Sequence, residues 1–254
     1  MCGFFENRMK KIPAEFQYPR RRRLRALLQP VARLALNSLC RFDVVGLENC
    51  PRQGPLLVVA NHFNFADPVA VIAAMPHLLE FFAGTVRPQS PAIVKWLPEV
   101  WKIYPVQRGS GSRYALKAAE YVMQQNGVLG IFPEGGAWAQ VLRRPRPGTA
   151  FVAARTGAPI LPIGIEGMTD IFSALRRGRR ARVTMRIGKP FGPFHVNGRG
   201  RDRRQQLDEI GDEIMRQIAD LLPPAQRGLY SDDPAIRREA EAVADYPWDP
   251  RAEF

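Results

Sequence analysis

The sequence has few of the residues that disulfide or metal-bound frameworks require. Its 254 residues include only three cysteines, Cys2, Cys40 and Cys50, and three histidines. The cysteines are odd in number and far apart, and none forms a Cys-x-x-Cys pair, so neither a disulfide framework nor a zinc site is indicated. We therefore expect no bound metal and no resident cofactor, and we expect a reducing compartment.

Long apolar runs are also missing. The longest uninterrupted ones, such as residues 56–60, fall far short of the roughly 18 to 20 residues that a membrane-spanning helix needs. The first eleven residues lack the apolar run of a secretory signal peptide. These features predict a cytoplasmic protein without a transmembrane helix.

Three common catalytic signatures are absent as well. The sequence contains no Gly-x-Ser-x-Gly, no Gly-x-x-x-x-Gly-Lys-Ser/Thr and no His-Glu-x-x-His, which disfavours serine hydrolases, P-loop nucleotidases and zincins. No internal repeat is visible. With 46% hydrophobic and 24% charged residues, the composition is nevertheless that of a soluble globular protein.

The charge is strongly basic and unevenly distributed. Lysine and arginine outnumber aspartate and glutamate by 37 to 24, for a net charge of +13. Residues 231–254 hold seven acidic and three basic residues and so carry −4, which leaves +17 on the rest of the chain. Such a surface predicts an anionic partner: nucleic acid, a phospholipid surface or phosphorylated small molecules.

The hydrophobic pattern alternates between short strand-like runs and helical ones. Strands are predicted at residues 42–45, 56–60, 81–85, 101–106, 128–132, 160–165 and 182–187, and helices from residue 68 and over 112–125, 149–156 and 203–222. This alternation is typical of an α/β protein. We predict a single domain with a mixed or largely parallel sheet flanked by helices.

Both ends of the chain differ from this central region. Residues 1–41 form a basic lead and an amphipathic helical segment, in which Pro30 is expected to kink or restart the helix. This segment is either a surface helix that covers the core or an element that binds a membrane surface. We place the main domain at 42–224 and an acidic tail at 225–254.

Three polar clusters directly follow predicted strands, at residues 61–68, 107–111 and 133–136. In open α/β sheets ligands bind at the carboxyl ends of the strands, so the three clusters are predicted to form one site. In the first, His62 and Asp67 can act as a general base and the carboxylate that orients it. Alternatively, Asp67 is a helix N-cap ahead of Pro68 and His62 is an ordinary loop residue.

The other two clusters also allow two interpretations each. Arg108, followed by Gly109, Ser110 and Gly111 and then a helix, suits a phosphate, but the same pattern occurs in ordinary turns before helices. Glu134 follows an apolar strand and is either part of an exposed turn or a polar anchor in a site.

Together these clusters resemble the motifs of the glycerolipid acyltransferases, in particular the 1-acylglycerol-3-phosphate O-acyltransferase family. His62-x-x-x-x-Asp67 resembles the first motif, and residues 104–109, 132–135 and 158–163 resemble the second, third and fourth in the same order. Two positions differ from the usual pattern. Gly136 and Ala137 stand where the third motif continues with threonine and arginine, and Asn64 stands where serine is common.

The resemblance implies a role for each matching residue. His62 would be the general base and Asp67 would orient it. The acceptor would be bound by Arg108, Gly109, Glu134, Gly135 and Asn64, with Arg108 the natural partner of a phosphate because its planar guanidinium can bind oxygens bidentately. Either Arg143, Arg144 or Arg146 would substitute for the missing arginine of the third motif, or the run at residues 143–146 is a solvated loop.

The resemblance also implies an activity. The enzyme would transfer an acyl group from acyl-CoA or acyl carrier protein to a lysophospholipid, giving phosphatidic acid when the acceptor is 1-acylglycerol 3-phosphate. It would bind peripherally to the anionic inner face of the membrane. The alternatives are another acceptor, such as glycerol 3-phosphate, another lysolipid or an alcohol, or, in a different class, a basic nucleic-acid-binding protein. No nucleic-acid recognition motif is present, so we expect no nucleic acid partner.

Overall fold

The structure of the chain is a computed structural model that describes residues 12–84, 97–106 and 113–244. Its strands are β1 (Cys40–Val45), β2 (Leu56–Ala60), β3 (Glu80–Gly84), β4 (Tyr104–Val106), β5 (Val128–Ile131), β6 (Ile160–Glu166) and β7 (Ala181–Ile187). Its helices are α1 (Arg22–Leu39), α2 (Asp67–Ala74), α3 (Leu97–Trp101), α4 (Arg113–Gln124), α5 (Pro147–Thr156), α6 (Ile171–Arg176), α7 (Gly200–Ala219) and α8 (Pro234–Glu241).

The seven strands form one mixed sheet in the order β1-β7-β6-β2-β5-β3-β4. Neighbours are parallel except β6 and β7, so β1 and β7 run opposite to the other five strands. The predicted fold class, a single mixed or largely parallel sheet flanked by helices, is confirmed. The central strand β2 is buried along its whole length, as its uninterrupted apolar sequence indicates.

The core lies on both faces of this sheet. Leu56 and Val58 of β2 pack in one cluster with residues of α1, α2 and α6, whereas Leu57 and Val59 pack in a second cluster with residues of α4, α5 and α7. The alternation follows from the strand geometry, in which successive side chains point to opposite faces. Helices therefore cover both sides, and the loops at the carboxyl ends of the parallel strands remain available for a site.

Helix α1 packs against α2 through its polar residues. The Nε2 of Gln29 donates to the carbonyl oxygen of Ile72 at 3.0 Å, and the Nε of Arg33 donates to that of Ala73 at 2.8 Å. These carbonyls belong to the last turn of α2, where they have no partner within the helix. The opposite face of α1 exposes four apolar side chains, Leu24, Leu27, Val31 and Leu34.

The structure changes two details of the predicted secondary structure. Pro30 does not restart α1, which is one helix on both sides of it, so a kink is the alternative that is left. The strand expected over 101–106 is only β4, because Trp101 ends α3 and its indole N–H donates to the carbonyl oxygen of Leu79 at 3.0 Å.

The C-terminal residues up to 244 pack on the rest of the chain. The N–H of Leu229 donates to the carbonyl oxygen of Leu142 at 3.1 Å, and the hydroxyl of Tyr230 donates to Asp212 in α7 at 2.9 Å. The indole N–H of Trp138 donates to the carbonyl oxygen of Val243 at 3.3 Å. Among the helices within the described ranges, none is long and apolar enough to cross a membrane.

Candidate active site

The loops that follow β2 and β5 meet at one edge of the sheet. These strands are parallel neighbours, with Leu56 opposite Val128, so their carboxyl ends lie side by side. The backbone N–H of His62 donates to Oε1 of Glu134 at 2.8 Å, which joins the two loops directly. Two of the three predicted clusters therefore come together. The third, with Arg108 and Gly109, lies outside the described residues.

His62 and Asp67 form a hydrogen-bonded pair. The Nδ1 of His62 lies 3.1 Å from Oδ2 of Asp67. Because a carboxylate only accepts hydrogen bonds, this contact places the imidazole proton on Nδ1 and leaves the lone pair on Nε2. The His62 side chain is 18% exposed, so the ring is shielded but still reachable.

The Asp67 carboxylate is held in place by the loop that it closes. Its Oδ2 also accepts from the backbone N–H groups of Phe63 at 2.8 Å and Asn64 at 2.7 Å, and the side chain is almost fully buried. These donors precede Asp67 in the chain. Asp67 is the first residue of α2, and Ala66 is the residue before the helix. The interpretation of Asp67 as a helix N-cap is therefore wrong.

The face of the imidazole is covered by an aromatic ring. His62 stacks on Phe132, with ring centroids 4.4 Å apart and an angle of 28° between the planes. Phe132 in turn stacks on Phe81, with centroids 6.2 Å apart. The hydrogen bond to Asp67 and this apolar wall together restrict the orientation of the ring.

Two asparagines stabilise the backbone around His62. The Oδ1 of Asn64 accepts from the N–H of Ala66 at 2.9 Å, so this side chain is used within its own loop. Asn61 is buried, and its amide exchanges two hydrogen bonds with the backbone of Ile165 in β6, at 2.8 and 2.7 Å. Asn61 anchors the end of β2 to β6. Apart from the position of Asn61 next to His62, no signal in the sequence predicts this role.

Glu134 is fully buried, so the exposed-turn interpretation is wrong. Its Oε1 accepts from His62, and its Oε2 lies 2.8 Å from Nη2 of Arg143 in an ion pair. Burial raises the pKa of Glu134 to about 7, while the charge of Arg143 and the His62 N–H act in the opposite direction. Glu134 thus faces protein groups on both of its oxygens.

The arginine run after the third motif divides into two kinds of residue. Arg143 is 1% exposed, whereas Arg144 and Arg146 are exposed. The guanidinium of Arg143 lies over the Trp138 ring, 3.4 Å from its centroid, and its Nη2 donates to the carbonyl oxygen of Gly136 at 2.6 Å. Of the three arginines considered as substitutes, Arg143 is the one that reaches Glu134.

Gly135 closes the turn that presents Glu134. Its N–H donates to the carbonyl oxygen of Phe132 at 3.0 Å, and its φ of +77° lies in the region that favours glycine. A Cβ at this position would lie 3.0 Å from Cγ of Arg146.

Pro162 of the fourth motif is buried within β6. In the described ranges, no group of three His, Cys, Asp or Glu side chains is arranged to hold a metal ion.

The sequence matches the model of the acyltransferase family over residues 41–166, which include His62, Asp67 and Glu134. Residues 41–166 belong to this acyltransferase family. The matched region begins in β1 and ends in β6, and it contains both loops that meet at His62.

Individual relatives are more distant. An uncharacterized protein of Mycobacterium tuberculosis is 29% identical over 160 residues, covering 59% of this chain and 44% of the relative. The chloroplastic 1-acyl-sn-glycerol-3-phosphate acyltransferase of Brassica napus is 25% identical over 166 residues, covering 63% of this chain and 48% of the relative. The 1-acyl-sn-glycerol-3-phosphate acyltransferase of Bacillus subtilis is 21% identical over 149 residues, covering 58% of this chain and 72% of the relative. The match thus spans less than half the length of the first two relatives.

A solved structure shares the fold. The crystal structure of the 1-acyl-sn-glycerophosphate acyltransferase PlsC from Thermotoga maritima superposes with a TM-score of 0.55 and 20% sequence identity, covering 92% of this chain and 87% of that one. Its similarity extends beyond the family match to most of the chain.

Proposed function

We propose that the protein transfers an acyl group from an acyl thioester to the hydroxyl of a lysophospholipid, with 1-acylglycerol 3-phosphate as acceptor and phosphatidic acid as product. The observation that carries this proposal is the hydrogen bond from Nδ1 of His62 to Asp67, which leaves Nε2 as a proton acceptor. Family membership and the named relatives support acyl transfer as the reaction.

In the proposed reaction, Nε2 of His62 removes the proton from the acceptor hydroxyl as its oxygen attacks the carbonyl carbon of the thioester. The carbon–sulfur bond then breaks, and the proton on the imidazolium neutralises the departing thiolate. Asp67 stabilises the transient positive charge on the ring and keeps Nε2 directed at the substrate. The products are an ester and a free thiol, either coenzyme A or the carrier protein's phosphopantetheine.

The acceptor phosphate is assigned to Arg108, with Gly109 beside it, as the resemblance implies. Asn64, Glu134 and Gly135 are proposed to shape the acceptor side of the site through the loops that they hold. For Glu134 the contacts support an indirect role, because its oxygens face His62 and Arg143. A non-phosphorylated acceptor remains the alternative within the same reaction class.

We further propose that the protein reaches its lipid substrates by binding peripherally to an anionic membrane surface through α1. Its outer face carries Leu24, Leu27, Val31 and Leu34, and two exposed arginines, Arg22 and Arg23, lie in its first turn. An apolar stripe beside basic residues suits a lipid interface. Arg20 and Arg25 do not belong to this surface, because both bind the buried carboxylate of Glu80.

The direct test is release of thiol from palmitoyl-CoA and, in parallel, from palmitoyl-acyl carrier protein, with 1-acylglycerol 3-phosphate, glycerol 3-phosphate, a lysophosphatidylcholine and a monoacylglycerol as acceptors. We expect acceptor-dependent release, with phosphatidic acid detected as product. Acceptor-independent release, or none with any pair, would contradict the proposal. Gel shifts with DNA and RNA of matched length measure whether the basic surface binds nucleic acid instead.

A further inference from the structure

The described part of the chain contains two buried arginine–glutamate pairs that differ in how fully they are hydrogen-bonded. Arg25 donates from all three guanidinium nitrogens, to Glu80 and to the carbonyl oxygens of Trp101 and Leu79. In Arg143, Nε and Nη1 have no hydrogen-bond partner within the described part of the chain. Burying a charged group without its full set of partners costs free energy. Stability alone therefore does not account for the pair of Arg143 and Glu134.

The distinctive contact of the second pair is with His62. Glu134 accepts the backbone N–H of His62 at 2.8 Å on one oxygen and lies 2.8 Å from Arg143 on the other. A carboxylate binds an N–H more strongly than a neutral carboxylic acid does. The guanidinium favours the ionised form of Glu134, which burial by itself would disfavour.

We propose that Arg143 is a positioning residue: by holding Glu134 as a carboxylate, it fixes the backbone of His62 and, through it, the imidazole. Arg143 acts through Glu134 and does not touch the reacting atoms. The charge comes from a residue nine positions beyond Glu134, and it reaches the site because the intervening segment folds back. That return is supported by the N–H of Arg146, which donates to the carbonyl oxygen of Pro133 at 2.7 Å.

Other charged groups lie near this pair. His62 contacts Glu134 through its backbone N–H. Burial lowers the pKa of the Arg143 guanidinium and the charge of Arg146 lowers it further, whereas Glu134 raises it. Arg144 is the natural control because it is the adjacent residue, carries the same charge and is exposed. Replacing Arg144 changes the net charge equally without removing the contact to Glu134.

The proposal rests on the proposed role of His62, but its first test requires no catalysis. The chain has three histidines, so selective ¹⁵N-histidine labelling gives three backbone amide signals, which His77→Gln and His195→Gln assign. We expect the chemical shift of the His62 amide to change in one step as Glu134 ionises, with a midpoint near pH 7. Glu134→Gln identifies this step by abolishing it, whereas a step from the imidazole itself remains.

In Arg143→Met, we expect the midpoint of that step to rise by about one pH unit or more, because an opposite charge nearby typically shifts a carboxyl pKa by 1 to 3 units. Arg144→Met should leave the midpoint unchanged, and Arg143→Lys should shift it less than Arg143→Met does. An unchanged midpoint in Arg143→Met would overturn the proposal. If that variant does not fold, an unaltered His62 amide shift in Glu134→Gln overturns it instead.

Steady-state kinetics distinguish a positioning role of Arg143 from direct binding of the acceptor by Arg143. Misplacement of His62 should lower kcat of Arg143→Met at pH 7 by up to about 100-fold for phosphorylated and non-phosphorylated acceptors alike, with partial recovery as the pH rises. A rise in KM confined to phosphorylated acceptors would show that Arg143 binds phosphate directly, which contradicts the proposal. Wild-type protein without transferase activity but with the expected amide shifts would contradict the proposed function alone.

Discussion

Arg25 binds Glu80 through both of its terminal nitrogens, with Nη1 2.6 Å from Oε1 and Nη2 2.8 Å from Oε2, and neither side chain is exposed. Arg20 adds a further contact to Oε2 at 2.6 Å, and its guanidinium lies 3.3 Å from the centroid of the Tyr104 ring. The three charges join the start of α1 to the start of β3. Two arginines of the predicted basic lead, Arg20 and Arg25, thus hold a buried carboxylate inside the fold.

Loss of Arg25 should destabilise the fold strongly. Breaking a buried ion pair by removing one partner typically costs about 3 to 5 kcal/mol, because the remaining charge is left uncompensated. In Arg25→Met we expect the lower end of that range, since Arg20 still neutralises Glu80. Urea denaturation measures the free energy of unfolding. Arg23→Met is the matched control and should change it by less than about 0.5 kcal/mol, because Arg23 is exposed on the same helix.

Loss of His62 should abolish transfer without unfolding the protein. Removing a positioned general base typically costs about 10² to 10⁴ in rate, so kcat of His62→Ala should fall by that factor. Asp67→Asn should be nearly as damaging, because the amide no longer stabilises the imidazolium. His195→Gln serves as control, since His195 is exposed outside the two loops. Retention by His62→Ala of more than about half of the wild-type kcat would exclude His62 as the base.

The sequence predicts best where local pattern and tertiary environment agree. All five residues of β2 and all twelve of α4 are correctly predicted, because a fully apolar run and a regular amphipathic pattern each favour one structure. In α1 the pattern leaves two alternatives open and does not identify the buried face. Leu28 and Leu36 contact the core, while Leu27 and Leu34 are exposed. The inward face also carries polar side chains that bind the end of α2.

In the candidate site, too, the sequence predicts contacts between residues that are close in the chain better than contacts between distant ones. The spacing of His62 and Asp67 predicts their contact, because one short loop joins the two residues. The role of Glu134 depends on two partners that local sequence does not identify: His62, 72 residues earlier, and Arg143, beyond a turn. The pairing of β2 with β5 brings the first partner close, and the packing of the segment after Gly136 brings the second. A sequence pattern without long-range contacts cannot choose between an exposed and a buried glutamate.

Loss of Arg108 should weaken binding of the acceptor specifically. A hydrogen bond to a charged group is typically worth about 1.5 to 3 kcal/mol, so Arg108→Ala should raise the KM for 1-acylglycerol 3-phosphate by about one to two decades. The KM for the acyl donor should change little. The matched comparison is a monoacylglycerol acceptor, which has no phosphate and should be insensitive to the substitution. A change confined to the donor KM would assign Arg108 to the donor side instead.

On the outer face of α1, the proposed membrane contact, Leu27 is 65% and Leu34 is 69% exposed. Burying a leucine side chain in an apolar environment stabilises by about 1.5 to 3 kcal/mol, so replacing both with serine should weaken binding to anionic vesicles by about tenfold or more. Leu47→Ser is the control, because Leu47 is 44% exposed but lies outside α1.

The charge contribution should be smaller and sensitive to salt. At about 1 kcal/mol per basic residue near an anionic surface, Arg22→Gln with Arg23→Gln should weaken binding, and 1 M salt should remove most of the difference because the Debye length falls to about 3 Å. Arg20 and Arg25 stay unchanged in this variant, since they bind Glu80. Co-sedimentation with vesicles of phosphatidylserine and phosphatidylcholine, compared with phosphatidylcholine alone, measures both effects. Equal binding by wild-type protein and by the Leu27→Ser, Leu34→Ser variant would exclude this face of α1 as the membrane contact.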